Sequence, residues 1–116
     1  MPDSRIDRER LNEISMGDAE FIREIVQMMI EDGEQRVLAI RAAYTKQEWE
    51  MLGREAHSLK GAALNVGAKE LASLCAAIDD AARKLKSTIK ESAVENVEAE
   101  FSVVKDELKS IIEQAA

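Results

Sequence analysis

The sequence predicts an all-α fold: an up-down-up-down antiparallel four-helix bundle with a short additional helix at its N-terminus. Three observations carry that prediction. Apolar residues make up 46% of the chain but aromatics only 3%, and the single proline is at position 2. That composition favours helix over sheet. Successive segments repeat their apolar residues at alternating three- and four-residue intervals, the period of helices packed in a bundle. The stretches between segments are short, so consecutive helices are expected to lie side by side and antiparallel. With 116 residues, the chain is read as one domain over 1–116, large enough to bury roughly two thirds of its unfolded surface.

Residues 1–5 are expected to be loose. The short helix is placed from about Ile6 to Ile14, with Leu11 and Ile14 as its apolar contacts. Ser15-Met16-Gly17-Asp18 reads as a break followed by an N-cap, Asp18. The second helix is placed from Ala19 to Tyr44. Its main stripe is Ile22, Val26, Met29 or Ile30, Val37, Ile40 and Tyr44, and Gly33 within it would let a neighbouring helix come close. Phe21, Ile25 and Met28 form a second stripe, either covered by the short helix or partly exposed for a partner.

Thr45 followed by Glu48 reads as a capping box that starts the third helix. The seam of that helix is Trp49, Leu52, Ala56, Leu59, Ala63 and Val66, and Asn65-Val66-Gly67 reads as its stop. The fourth helix, Ala68 to Leu85, repeats the spacing with Leu71, Leu74, Ile78, Ala81 or Ala82, and Leu85. Thr88 with Glu91 is another capping box, followed by Val94, Val97, Phe101, Val104, Leu108 and Ile111 in the fifth helix. Cys75 and the five methionines read as core filler.

A net charge of −7 argues against nucleic acid or an anionic membrane as the main partner, since both need basic patches. One cysteine cannot form an internal disulfide, and no apolar run reaches the length of a membrane span. A cytoplasmic monomer is expected. Met1 and the lack of a linker lean towards a free-standing protein rather than a piece of a larger sensor.

His57 is the only histidine. It follows Ala56 and lies off the seam, on a side shared with Gly53, Arg54, Lys60, Gly61 and Leu64. An imidazole with its ordinary pKa of about 6.5 is largely neutral, and so nucleophilic, at cytoplasmic pH. Once phosphorylated it would gain negative charge that Lys60 and Arg54 can offset. Each glycine in a helix interior costs about 1 kcal/mol relative to alanine. Gly53 and Gly61, four residues either side of His57, therefore suggest close approach by another molecule; the alternative for each, helix–helix packing, ranks lower because they are turned from the seam.

The run His57-Ser58-Leu59-Lys60-Gly61, then Gly67, resembles the histidine-containing phosphotransfer (HPt) domain family. The resemblance extends through Ala68, Leu71, Leu74 and Cys75, and over Phe21 to Leu38 with Glu31-Asp32, about four fifths of the chain. It implies that His57 accepts a phosphoryl group from a receiver-domain aspartate or a sensor histidine kinase and passes it to another response-regulator receiver. Lys60 would stabilise the phosphoryl group, and Gly61 would leave room for the receiver. Some members orient the other ring nitrogen with a polar side chain, often Gln or Glu, on the next helix. Counting along the motif puts Asp79 there, the alternative being an exposed acid beside Asp80. Docking would use the exposed face of the third helix and its neighbours. Gly53, Leu64, Leu11, Ile14 and Phe21 are candidates, with ordinary packing onto the second helix favoured for Leu11 and Phe21. No cofactor is expected on this chain; Mg²⁺ would sit on the partner receiver.

Two other classes compare poorly. There is no Gly-rich phosphate loop for ATP, and Ser58 stands where histidine-kinase dimerisation helices usually place an acid, so an enzyme with its own kinase activity is not expected. A di-iron bundle needs paired Glu-x-x-His motifs, but Arg54 precedes His57 by three and no second histidine exists. The alternative is a non-phosphorylated helical-bundle adapter that binds a signalling partner.

Overall fold

The computed structural model describes residues 4–84 and 89–115. Among the described residues, five helices run in order: α1 Arg8–Ser15, α2 Ala19–Lys46, α3 Trp49–Asn65, α4 Lys69–Lys84 and α5 Glu91–Ala115. No strand occurs among the described residues. α2 packs on α3 and α5, α4 packs on α3 and α5, and α1 crosses α2 and α3. The four long helices thus form a closed ring of neighbours around one core.

The seams follow the apolar spacing. Leu52, Ala56, Leu59, Ala63 and Val66 of the α3 segment are fully buried, as are Val94, Val97, Val104 and Leu108 of α5. Each large side chain so placed contributes roughly 1.5–3 kcal/mol. Gly33 admits α5: a methyl group there would lie 2.7 Å from Cζ of the buried Phe101 ring. The α4 stripe is Leu71, Cys75, Ile78 and Ala82, with Leu74 and Ala81 only half-buried at its flank. Trp49 is likewise half-buried and meets Tyr44 edge to face, ring centres 6.1 Å apart. Leu85 and Thr88, assigned to the fourth helix and the fifth helix's cap, lie outside the described residues.

Several boundaries differ from the pattern-based ones. α1 starts at Arg8 because Asp7 caps it, its carboxylate accepting from Arg10 N–H at 3.1 Å. Ile6 precedes the helix and is buried. Asp18 does cap α2, accepting from Glu20 N–H and Phe21 N–H. α2 continues past Tyr44 to Lys46, so the Thr45–Glu48 capping box does not form. Thr45 Oγ1 instead donates back to the Arg41 carbonyl at 3.0 Å, Gln47 closes α2 in a left-handed conformation, and Glu48 precedes α3 without a side-chain cap bond. A threonine inside a helix can satisfy its hydroxyl on the preceding turn, which removes it as a cap.

The turn between α3 and α4 needs a glycine. Gly67 has φ +73° and its carbonyl accepts from Asp7 N–H at 3.0 Å, while a Cβ at Gly67 would run into Asp7. The chain entering α1 is therefore fastened to the end of α3, the helix that carries His57.

Candidate functional site

His57 sits one residue past Ala56, about 100° round α3 from the buried seam. Its side chain is 70% exposed, whereas that of Asp79, presented by α4, is only 8% exposed. The two meet between Nδ1 and Oδ2 at 3.1 Å. An ionised carboxylate can only accept, so in the neutral ring such a bond puts the proton on Nδ1 and leaves Nε2 with its lone pair free. Oδ2 accepts a second bond, from Arg83 Nη2 one helical turn on, also at 3.1 Å. Asp79 is thus a buried acid on His57; Asp80 is the exposed one, paired with Lys84 at 3.2 Å. Arg83 lies outside the histidine motif. Its signal in the sequence is the i,i+4 spacing from Asp79.

A cleft of about 660 Å³ between α3 and α4 opens beside this group, lined by Trp49, Arg54, His57, Ser58, Asp79 and Arg83 among others. Arg54 reaches it but is bonded to Glu50 at 2.7 Å. Gly53 also lines this cleft, but it is not an exposed surface. It is buried, and a methyl group on it would stand 3.1 Å from Ala82 Cβ and 3.6 Å from Asp79 Oδ1. The absence of a side chain at 53 lets α4 come close enough for Asp79 to reach the imidazole. Gly53, expected on the open outward side, is instead buried against α4, where it serves helix packing while still lining the cleft.

The other residues of the face stand apart from the cleft. Lys60 follows His57 by three and is half-buried, with no ion-pair partner among the described residues. Gly61 is exposed, and a methyl group there would meet nothing within 4 Å. Leu64 continues that face and is 47% exposed. A second groove of about 500 Å³ runs between α1, α2 and α3, lined by Ile14, Ile25, Met28, Met29, Ala62 and Val66 among others. Ile14 thus reaches the surface; Leu11 is buried in the core and presents nothing to a partner, because it is the inward residue of α1. Phe21 is not packed away under α1. It stays exposed beside Met28 and Ile112, so the second α2 stripe is partly open.

Elsewhere the ionisable groups serve the scaffold. Arg41 Nη2 and Nε hold the two oxygens of Glu98 at 2.8 and 2.9 Å across α2 and α5, which keeps the Glu98 carboxyl below the usual range. Burial pushes the Cys75 thiol up to about 12, so it is an inert packing group. No described helix is long and apolar enough to cross a membrane.

The family model described as the Hpt domain matches residues 24–116. The chain belongs to the Hpt domain family. No curated protein matches it. Among solved structures, the fold is similar to the crystal structure of histidine-containing phosphotransfer protein B (HptB) from Pseudomonas aeruginosa PAO1. That match has a TM-score of 0.89 and 24% identity, and it covers 97% of this chain and 98% of that one. The family match runs from within α2 to the end of the chain, so the Hpt domain's matched part includes His57, Lys60, Gly61, Gly67 and Asp79.

Proposed function

We propose that this Hpt domain is a phosphorelay intermediate that carries a phosphoryl group on Nε2 of His57. One observation carries the reading most: a largely exposed imidazole whose Nδ1 is bonded to a buried carboxylate. In the proposed step, neutral Nε2 attacks the phosphorus of an aspartyl phosphate on a receiver domain. The N–P bond forms, the P–O bond breaks, and the receiver's aspartate leaves as a carboxylate. The proton stays on Nδ1, and Asp79 offsets the positive charge that the ring acquires. Transfer to a second receiver runs the same step in reverse.

Lys60 supplies a cation one turn from His57, suited to the oxygens of the phosphoryl group. Arg54 and Arg83 add positive charge at the mouth of the cleft. Gly61, bare and unobstructed, leaves room for the receiver's backbone, and Leu64 with the groove at Ile14 offers it apolar surface. The partners on this reading are response-regulator receivers and a sensor histidine kinase, in the cytoplasm. Mg²⁺ would be held by the receiver, and this chain would have no kinase activity of its own. The same reading takes the four long helices as an antiparallel up-down-up-down bundle, supported by the two-residue connection from α2 to α3.

The test is incubation with a phosphorylated receiver domain. Acid-labile, base-stable phosphate is expected on the wild-type chain. His57→Gln should abolish it while leaving the helical circular dichroism unchanged. Uptake that survives in His57→Gln would overturn the assignment, and failure of several receivers and kinases to load the wild type would favour a passive adapter.

A further inference from the structure

We propose that Arg83 is a positioning residue for His57 that acts through Asp79. The inference rests on the phosphocarrier reading above and extends it to a residue that the histidine motif does not contain. Its ground is geometric. One oxygen, Asp79 Oδ2, receives both the imidazole Nδ1–H and the Arg83 guanidinium, each at 3.1 Å. Asp79 is nearly buried and lines the cleft beside the imidazole. A carboxylate so little exposed is stabilised by a neighbouring cation.

Two candidates can supply it. If Arg83 does so, Asp79 is neutralised and the imidazole can stay uncharged. If Arg83 is absent, protonation of His57 becomes the remaining way to balance Asp79, and the imidazolium has no Nε2 lone pair to attack with. Arg83 thus holds Asp79 as an orienting acceptor while preventing it from drawing a proton onto the ring. The other charged residues lining the cleft are Glu50 and Arg54 on α3, and Lys60 follows His57 by three on the same helix. Glu50 and Arg54 are paired with each other at 2.7 Å, and Lys60 is positive. None of the three contacts Oδ2 of Asp79, so none replaces Arg83.

The experiment reads the titration of His57 by the proton shift of its ring Cε1–H, which is simple to assign because the chain has one histidine. Arg83→Gln is expected to move the midpoint upward by about half a unit or more. The pH profile of uptake from phosphoramidate should move with it. In that reaction the donor's P–N bond breaks, ammonia leaves, and the phosphoryl group passes to Nε2. Arg83→Lys, which keeps a cation within i,i+4 reach of Asp79, should stay near wild type. In an Asp79→Asn background, Arg83→Gln should have no further effect on the midpoint. An unmoved midpoint in Arg83→Gln overturns the proposal. So does an equal shift in the Asp79→Asn background, which would mean that Arg83 acts on the ring or the phosphoryl group directly. The titration needs no phosphoryl donor, so a wild-type chain that fails to take up phosphate would refute the proposed function and leave this coupling to be judged by its own measurement.

Discussion

Gly61→Ala should make this domain more stable, although the residue belongs to the face proposed for phosphotransfer. Glycine in a helix interior lies about 0.8–1 kcal/mol below alanine in propensity. Whether that gain is realised depends on what the new methyl group meets, and at Gly61 it meets nothing within 4 Å. Allowing for the exposed position near the end of α3, the expected gain is about 0.5–1 kcal/mol. For a domain of this size that is a rise in melting temperature of roughly 2–4 °C. Gly33→Ala gains the same propensity but places its methyl group on the buried ring of Phe101, an overpacking that costs typically about 1–3 kcal/mol. That variant should melt below wild type. The assay is urea and thermal unfolding followed by circular dichroism at fixed pH and protein concentration. A Gly61→Ala protein no more stable than wild type would refute the reasoning, since it would mean that the glycine already serves the fold. If the bare backbone instead serves a receiver, Gly61→Gln should impair receiver binding with little loss of stability.

Three further outcomes are expected. Lys60→Ala should slow receiver-to-His57 transfer by roughly 10–100-fold without abolishing it, the scale of losing one charged contact to a phosphoryl group; an unchanged single-turnover rate would remove Lys60 from the mechanism. Arg41→Gln should destabilise the domain by at most about 1 kcal/mol at pH 7. Arg41 lowers the folded-state value of Glu98 from 4.5, so its contribution is present above that pH and is lost as pH falls through the lowered value. Urea titrations should therefore show the wild-type and variant stabilities converging below about pH 4.5, and a constant gap would contradict the pairing. Cys75, with its thiol pushed up to about 12 by burial, should react with iodoacetamide at pH 8 on the order of a thousandfold more slowly than a free thiol. Reaction at the ordinary rate in the native protein would show that the α4 core opens readily.

The sequence alone determined the central seam of α3. Spacings of three and four placed Leu52, Ala56, Leu59 and Ala63 on one side of α3 and thereby turned His57 outward, because a helix fixes the angle between neighbouring positions. Asp18 was legible as a cap, and Gly67 as a stop, because both act on the backbone within a few residues of themselves. The Thr45–Glu48 box failed for a related reason: Thr45 had two local partners, and its hydroxyl bonded the Arg41 carbonyl inside a longer α2.

What spacing could not decide was how close two helices come and at what register. Gly53 and Gly61 look alike on a helical wheel, one turn either side of His57. Only the packing of α4 shows that the first lies against Ala82 and the second against nothing. Asp79 could be counted to the right level of the next helix, but its burial and its bond to Nδ1 depend on the approach that Gly53 allows. Leu11 and Ile14 share one short helix and differ only in which side α2 and α3 cover. The helical period is a local property of the chain and is written into it. The distance between α3 and α4, on which the imidazole's one fixed hydrogen bond depends, is set by side chains far apart in sequence, and only the tertiary structure brings them together.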